Sequence, residues 1–181
     1  MATVSIRPSS TTSQTGWVAD PITTNDAAAT GVAQNNVTCN WTAVLADLDS
    51  GLSGATINNF IISAKGQAGR AGACTAVMSL IHSSDGAFAA ETEAWTGTTS
   101  VQSTTAFTTQ QDGSSALTFA YINNCSVKID PNTQGITLYE LYVVIDYTPA
   151  GYGNAVNGVA AANISKVNGI ATADISKVNG I

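Results

Sequence analysis

Charged side chains are scarce in this sequence of 181 residues. Asp, Glu, Lys and Arg together make up 10% of the chain, well below the roughly 25% that is usual in soluble domains. Hydrophobic residues nevertheless make up 44%, so the low hydrophobicity and high charge that together produce disorder are absent. The polar surface is therefore supplied mainly by Thr, Ser, Asn and Gln, which suits exposed strands and surfaces that partners cover.

Positive charge is scarcer still, and its distribution excludes one class of partner. Residues 1–149 carry four basic and eleven acidic side chains, a balance of −7, whereas residues 150–181 carry two lysines and one aspartate, a balance of +1. An acidic body without a basic stripe cannot neutralise a phosphate backbone, so no nucleic-acid partner is expected. No apolar run approaches the length of a membrane span, and the first residues lack a signal-peptide pattern. We therefore expect synthesis and folding in a cytoplasm and no membrane partner.

The chain has only three cysteines and one histidine, which restricts metal binding and catalysis. Cys39, Cys74 and Cys125 are widely spaced and form no CxxC pair, so the sequence predicts free, buried thiols and no zinc site. His82 ends an alternating segment just before a turn and is predicted to be an exposed strand-end residue. A catalytic relay with the serine that follows it is excluded, because neighbouring residues of a strand point to opposite faces.

Two pairs of carboxylates are the remaining candidates for a chemical site. The spacing of two residues in Asp47/Asp49 and in Glu91/Glu93 places both carboxylates on one face of a strand, as a calcium site or a glycosidase would require. The composition around Asp47 and Asp49 is, however, that of an ordinary turn. The sequence therefore predicts no catalytic residue, no cofactor and no metal site, and the protein is predicted not to be an enzyme.

Segments with strand character recur along residues 1–149, with turn signals between them. About eight strands in roughly 150 residues, without an amphipathic helix, are typical of an antiparallel β-sandwich or jelly roll, so the fold class is predicted to be all-β. The strongest segment, Ile136 to Tyr147, is dense in Ile, Leu, Tyr and Val. It is predicted to be a central strand that is buried on both faces, by the second sheet and by loops or neighbouring subunits. The other predicted strands are 3–7, 37–45, 56–64, 74–82 and 117–129, together with 98–109, which is predicted to be a pair of strands or one long edge strand.

An internal repeat of eleven residues occupies the end of the chain. Residues 156–166 read VNGVAAANISK, residues 167–177 read VNGIATADISK, and residues 178–181 begin a third copy. Such a period is the signature of a repeated structural unit. The predicted organisation is a β-sandwich body of residues 1–149, a flexible junction of residues 150–155 and a repeat tail of residues 156–181.

Two structures compete for this tail. Asn-Gly is a strong signal for a two-residue hairpin turn, and a turn at residues 168–169 places Val167 opposite Ile170. A slightly underwound helix also fits an eleven-residue period, but a glycine within a helix costs about 1 kcal/mol, so the β or extended structure is preferred. The tail is too small to fold alone and is predicted to be an assembly interface. The predicted interface residues are Val156, Val159, Ile164, Val167, Ile170, Ile175, Val178 and Ile181.

The layout of the body resembles jelly-roll modules of tailed-bacteriophage structural proteins. The resemblance rests on TVSIRP at 3–8, followed by Gly16-Trp17, on LADLDSGLSGATINNFIISAKG at 45–66, and on the closing strand ITLYELYVVIDYTP at 136–149. The tail motif ISKVNG is similar to repeats in phage structural proteins. The Ala- and Asn-rich stretch 26–36 departs from the module, in which a short hairpin is expected. The resemblance implies a virion surface subunit, such as a capsid decoration or cement protein.

We accordingly expect a structural virion protein that forms a homo-oligomer, such as a trimer, and contacts other virion proteins such as the major capsid protein. The alternative is a glycan- or receptor-binding adhesin or tail-fibre domain. In that case exposed tryptophans would stack on sugar rings, and Trp17, Trp41 and Trp95 are the candidates, with core packing as the competing interpretation. The structural role is preferred because the tail requires a partner and because no cluster of polar and aromatic residues is visible in the sequence.

Overall fold

In a computed structural model, the chain folds into two facing antiparallel sheets. The structure describes residues 2–15, 32–33, 40–83, 86–133, 135–150, 166–167 and 170–171. The elements in these ranges are β1 (Ala2–Ile6), β2 (Pro8–Thr15), β3 (Val32–Ala33), β4 (Asn40–Leu45), the 3-10 helix η1 (Ser50–Leu52), β5 (Thr56–Ala68), β6 (Cys74–His82), β7 (Gly86–Trp95), β8 (Ser100–Ser103), α1 (Phe119–Asn123), β9 (Cys125–Pro131), β10 (Ile136–Thr148), β11 (Lys166–Val167) and β12 (Ile170–Ala171). The predicted all-β, jelly-roll-like sandwich is confirmed.

Sheet A contains β1, β10, β5 and β8 in that order, and β3 also pairs with β10. The prediction that the segment beginning at Ile136 is a central strand is confirmed, because β10 pairs with β1 on one side and with β5 along nearly its whole length on the other. The second sheet covers only one face of β10, so burial alternates along the strand and the other face stays half-exposed. That second face is not buried within the chain, and its burial by neighbouring subunits stays a prediction.

Sheet B contains β2, β4, β9, β6 and β7 in that order. The first strand of sheet B continues directly from the first strand of sheet A, because β1 ends at Ile6 and β2 begins at Pro8. Arg7 is therefore the residue at which the chain crosses from one sheet to the other. This crossing joins the two sheets along one side of the sandwich, and it brings Arg7 next to the central strand β10.

The core lies between the two sheets and is built from the inward positions of alternating strands. Along β9, for example, Cys125, Val127 and Ile129 are buried while the residues between them are partly exposed. This alternation is expected for a sheet with one face in the core. The largest fully buried side chains are Trp41, Phe60, Ile62, Met78, Leu80, Trp95, Ile122, Ile129, Ile136, Leu138, Leu141 and Ile145.

The prediction of a single strand over residues 117–129 is wrong, because a helix precedes β9. α1 begins after Thr118, whose side-chain oxygen accepts a hydrogen bond from the backbone N–H of Tyr121 at 3.1 Å, as a helix N-cap does. Ile122 on this helix is fully buried, so packing supports the short helix. None of the helices in the described ranges is long and apolar enough to cross a membrane.

The tryptophans and cysteines that the structure describes belong to the core. Trp41 and Trp95 are 2% and 0% exposed, so core packing is their role and neither can stack on a ligand. Cys74 and Cys125 are buried, which confirms the prediction of burial for these two residues. Cys39 and Trp17 lie outside the described residues.

Two residue pairs of the repeat tail are described, and both fit the hairpin prediction. β11 and β12 are antiparallel, with Val167 opposite Ile170 and Lys166 opposite Ala171. This is the pairing that a two-residue turn at residues 168–169 predicts. The rest of residues 151–181 lies outside the described residues, so the division of the chain into body, junction and tail stays a prediction.

Candidate functional site

The face of sheet A that points away from the core carries polar, charged and aromatic side chains side by side. The registers of β1, β10, β5 and β8 align the outward residues of these strands in rows, because alternate residues of a strand share a face. We call this surface the outer face. Its residues are Thr3, Ser5, Arg7, Asn59, Ile61, Ser63, Lys65, Val101, Ser103, Glu140, Tyr142, Val144 and Asp146.

Arg7 organises one end of the outer face. Its Nη2 donates a hydrogen bond to Oε1 of Glu140 at 2.6 Å, and the two side chains are 30% and 12% exposed. The guanidinium carbon also lies 5.6 Å from the centre of the Tyr142 ring, within range of a cation–π contact. Because the ion pair is partly withdrawn from water, it fixes Arg7, and Arg7 in turn holds the Tyr142 ring in place.

A β-bulge in β10 puts Glu140 on this face. The register with β5 shifts between Leu138, which lies opposite Gly66, and Glu140, which lies opposite Lys65. Tyr139 is thus an extra residue on β10. Bulges redirect side chains at such points, and here the bulge brings Glu140 between two basic residues of the neighbouring strands.

Ser63 and Ser103 continue the row of Tyr142 across β5 and β8. Ser63 lies opposite Tyr142 and also opposite Ser103, and the two serine hydroxyls are 2.8 Å apart. Ser63 is buried, at 3% exposure, whereas Ser103 is exposed. Val101 lies opposite Lys65 on the edge strand β8. At 49% exposure, it is a large hydrophobic side chain that is open to solvent. An aromatic ring and hydroxyl groups therefore share one row of the outer face.

The other end of the outer face is polar, and an apolar strip separates the two ends. Asp146 accepts hydrogen bonds from the side-chain amides of Asn58 at 3.4 Å and Asn59 at 3.3 Å. Between Tyr142 and Asp146, Val144 lies opposite Ile61, and both are half-exposed. The face thus presents polar groups at both ends and a short apolar strip in the middle.

His82 is placed differently from the prediction of an exposed strand-end residue. Its ring stacks on Tyr121, with the ring centres 4.0 Å apart and the planes at 4°, and it is half-buried. Tyr121 also meets Phe88 edge-on at 5.5 Å. The prediction failed because α1 brings Tyr121 beside the end of β6, and no local pattern encodes that contact. His82 therefore has a packing role.

Glu91 and Glu93 share one side of the edge strand β7, as their spacing predicted. Glu91 accepts hydrogen bonds from the backbone N–H of Thr105 at 2.7 Å and from the Thr105 hydroxyl. Burial, together with the negative charge of Glu91, raises the pKa of Glu93 above its usual value. Charges on an edge strand discourage pairing with another chain, which is a structural use of this pair.

The acidic residues of the exposed loops stabilise turns. Asp49 caps η1 by accepting a hydrogen bond from the Gly51 N–H at 2.7 Å. The Ser115 hydroxyl, together with the backbone N–H groups of Ser114 and Ser115, lowers the pKa of Asp112 to about 2. Among the described residues, no three Asp, Glu, His or Cys side chains are grouped as metal ligands would be.

Little of the predicted assembly interface falls within the described residues. Val167 and Ile170 are described as paired backbone. The remaining predicted interface residues lie outside the described residues, and they are Val156, Val159, Ile164, Ile175, Val178 and Ile181.

The outer face is the site that sequence reasoning missed. Its ion pair joins Arg7 to Glu140, which are 133 positions apart in the sequence, so no local motif contains both residues. One signal was present in the sequence. The alternation of apolar residues along β10 is interrupted between Leu138 and Leu141, and the polar and aromatic residues around that interruption, Tyr139, Glu140 and Tyr142, include two members of the outer face.

Comparisons with known proteins do not assign this chain to a family. No protein-family model and no curated protein matches it. Among solved structures, the C-terminal CBM6 of LamC, a marine laminarinase from Zobellia galactanivorans, matches with a TM-score of 0.46 and 12% identity, over 80% of this chain and 98% of that chain. The carbohydrate-binding module CBM6cm-2 of Cellvibrio mixtus lichenase 5A, in complex with cellotriose, matches with a TM-score of 0.43 and 12% identity, over 79% and 95%.

Proposed function

We propose that this protein is a non-catalytic binding module that attaches to a glycan through the outer face of sheet A. The observation that carries the proposal is the row centred on Tyr142. On one side of the ring lies the Arg7–Glu140 ion pair, and on the other the buried Ser63 is hydrogen-bonded to Ser103, whose side chain is exposed. A sugar ring has an apolar face of C–H groups and a rim of hydroxyls, so it needs an aromatic surface beside hydrogen-bonding groups.

The positions of the carboxylates on the outer face favour binding over hydrolysis. Glu140 and Asp146 are six residues apart on β10 beyond the bulge, which corresponds to about 20 Å along a strand. Glycosidases need two carboxyl groups about 5–9.5 Å apart on either side of the scissile bond. Glu140 is in addition bound to Arg7. A sugar chain on this face would therefore be held rather than cleaved.

The binding experiment compares the intact protein with Tyr142→Ala. Native gels containing soluble plant, algal or bacterial polysaccharides should retard the wild type, and isothermal titration should give its affinity. We expect Tyr142→Ala to weaken binding about tenfold or more, because loss of an aromatic anchor removes a binding hot spot. Tyr142→Phe keeps the ring and should stay near wild type.

Val77→Ala is the matched control, because Val77 is a partly exposed residue of β6 in the opposite sheet. It should bind like the wild type. Each variant is first checked for an unchanged circular dichroism spectrum and a cooperative melt. Wild-type affinity of a folded Tyr142→Ala protein, or equal losses in Tyr142→Ala and Val77→Ala, would remove the outer face as the binding site.

A second proposed function is that of a structural subunit on a bacteriophage virion, assembled through the repeat tail. The observation that favours it is the pairing of Val167 with Ile170 on either side of residues 168–169, because the same Asn-Gly recurs in every copy of the repeat. An isolated hairpin is marginal in water, so such a unit needs a partner to be stable. The two proposals are compatible, since a virion surface subunit can also bind a glycan.

The assembly proposal is tested by truncation after Pro149 and by the double substitution Ile164→Asp and Ile175→Asp. Either change should lower incorporation into particles, because a buried interface does not tolerate an unpaired charge. Electron microscopy and mass spectrometry of purified particles would measure occupancy. Wild-type occupancy of the truncated chain would show that the tail is not an assembly element.

A further inference from the structure

The outer face carries equal numbers of positive and negative side chains, and two of them form an ion pair. The face carries two basic side chains, Arg7 and Lys65, and two acidic ones, Glu140 and Asp146. Arg7 is bound to Glu140 at 2.6 Å, and Glu140 also lies directly opposite Lys65 in the register. Lys65 interacts with another group of the protein, and Asp146 accepts hydrogen bonds from two asparagine amides.

A charged ligand would meet charges of both signs side by side on this surface. A carboxylate or sulfate bound to Arg7 would lie beside the carboxylate of Glu140, which is paired with Arg7 and only 12% exposed, and the two negative charges would repel each other. The net charge of −6 on the whole chain adds a repulsion against polyanions at low salt. Hydroxyl groups avoid both penalties.

The spacing of the polar groups along β10 points to a ligand longer than one sugar. Tyr142 and Asp146 are four residues apart, which corresponds to about 13 Å along a strand. The apolar strip of Val144 and Ile61 lies between them. A single sugar ring would reach only one polar end, whereas a chain lying parallel to the strands would contact both ends and cover the apolar strip.

We infer that the ligand of the outer face is a neutral, extended polysaccharide segment that lies along β10 and β5. The inference rests on the proposed glycan-binding function and specifies its ligand class. The ring of Tyr142 stacks against one sugar unit, the exposed hydroxyl of Ser103 hydrogen-bonds beside it, and the Asp146–Asn59 pair receives hydroxyls of a unit further along the chain. The Arg7–Glu140 pair fixes the Tyr142 ring. Because the two charges of the pair cancel, it binds the sugar through hydrogen bonds to hydroxyl groups and not through attraction to a charged group.

The test uses the full chain and two series of probes. Native affinity gels and isothermal titration compare neutral polysaccharides (soluble β-glucans, xylan and galactomannan) with polyuronates (alginate and polygalacturonate). The second series is a ladder of neutral oligosaccharides, from one to six sugars, cut from the best neutral polymer. We expect neutral polymers to bind, with less than about a twofold change in affinity between about 0.05 M and about 0.5 M NaCl, because hydrogen bonds to a neutral ligand are not screened.

The ladder reports on the length of the site. Affinity should rise by about tenfold or more between one sugar and the length that spans both polar ends. Asn59→Ala should weaken the long oligosaccharides, whereas Ser126→Ala, on β9 of the opposite sheet, should leave all of them unchanged. Equal affinity for one sugar and for six sugars, or equal binding by wild type and folded Asn59→Ala, would overturn the extended site.

The possible results separate this inference from the proposed function. Salt-sensitive binding of polyuronates without binding of neutral polymers would overturn the neutral ligand, while glycan binding itself would stand. Binding of neutral polymers that is unaffected by Tyr142→Ala and Asn59→Ala would locate the site elsewhere and overturn the inference. Absence of binding to every polymer in the panel would overturn the proposed function together with the inference.

Discussion

Gly66 lies where three elements of the sandwich approach one another closely. It lies on β5 opposite Leu138 of β10, and the fully buried Trp95 of β7 packs over it from sheet B. A Cβ atom built at this position would lie 2.8 Å from Leu138 Cδ2, 2.8 Å from the Thr137 carbonyl oxygen and 3.2 Å from Trp95 Nε1. Gly66→Ala therefore forces the two sheets or the neighbouring strands apart.

Two opposing terms set the size of this effect. Adding a methyl group to a packed core costs about 1–3 kcal/mol. Replacing glycine by alanine within a strand returns about 0.5–1 kcal/mol by reducing the entropy of the unfolded chain. One of the clashing atoms is a backbone oxygen, which cannot rotate away, so the packing term dominates. We expect Gly66→Ala to lower the free energy of unfolding by about 1–2 kcal/mol and the Tm by about 2–8 °C.

Urea unfolding followed by circular dichroism, together with thermal melts, measures this loss. Gly97→Ala is the matched control, because no heavy atom lies within 4 Å of a Cβ built there. The control should be neutral or slightly stabilised, by at most about 1 kcal/mol. If Gly66→Ala proved as stable as Gly97→Ala, the close approach of the two sheets at Gly66 would be refuted.

Three further predictions concern sheet B. Ala89 has a φ of +53°, so Ala89→Gly should raise the free energy of unfolding by about 0.5–1 kcal/mol in urea melts, and a loss would contradict this backbone conformation. His82→Ala removes the stack on Tyr121 and should cost about 0.5–1.5 kcal/mol without changing polysaccharide affinity; an unchanged Tm would argue against the stack. The raised pKa of Glu93 means that its ionised form destabilises the fold, so Glu93→Gln should be more stable at pH 7, by less than about 1 kcal/mol. That gain should shrink as the pH falls through the folded-state pKa towards 4.5, and a gain independent of pH would contradict the assignment.

The strands could be predicted where one face of the strand packs against the core, because apolar and polar residues then alternate in the sequence. The segment 74–82 was predicted with the bounds that β6 has. Predictions were less accurate where tertiary contacts decide the structure. β5 continues through Gly66 to Ala68 although the predicted strand ended at residue 64, because pairing with β10 and β8 extends the strand past the glycine.

The helix α1 shows a second limit of sequence reasoning. Its five residues are too few for a helical period to stand out from the alternating segments on either side. The local signal is a single capping residue, Thr118, and the helix is stabilised by the burial of Tyr121 and Ile122. This short turn also places Tyr121 against His82, which is why the environment of the histidine could not be predicted.

The β-bulge, which is the irregular point of β10, lies within the candidate site. Buried positions on β10 are Ile136 and Leu138 before the bulge, and Leu141 and Val143 after it, so the apolar period of two is broken once. Had the alternation continued unbroken from Leu138, the residue at 140 would have faced the core, where a carboxylate is strongly disfavoured. The extra residue therefore keeps both halves of the strand in register with the core and turns Glu140 outward.

Once Glu140 points outward, it meets Arg7, which the crossing between the two sheets brings to the same place. The ion pair then positions the Tyr142 ring, the feature on which the proposed binding surface is centred. Two irregularities of the chain, the bulge and the crossing at Arg7, thus converge on one spot although they lie at opposite ends of the body. Each is required by the core: the bulge keeps apolar residues buried, and the crossing joins the sheets. The side chains that these irregularities leave outside the core form the binding surface proposed here.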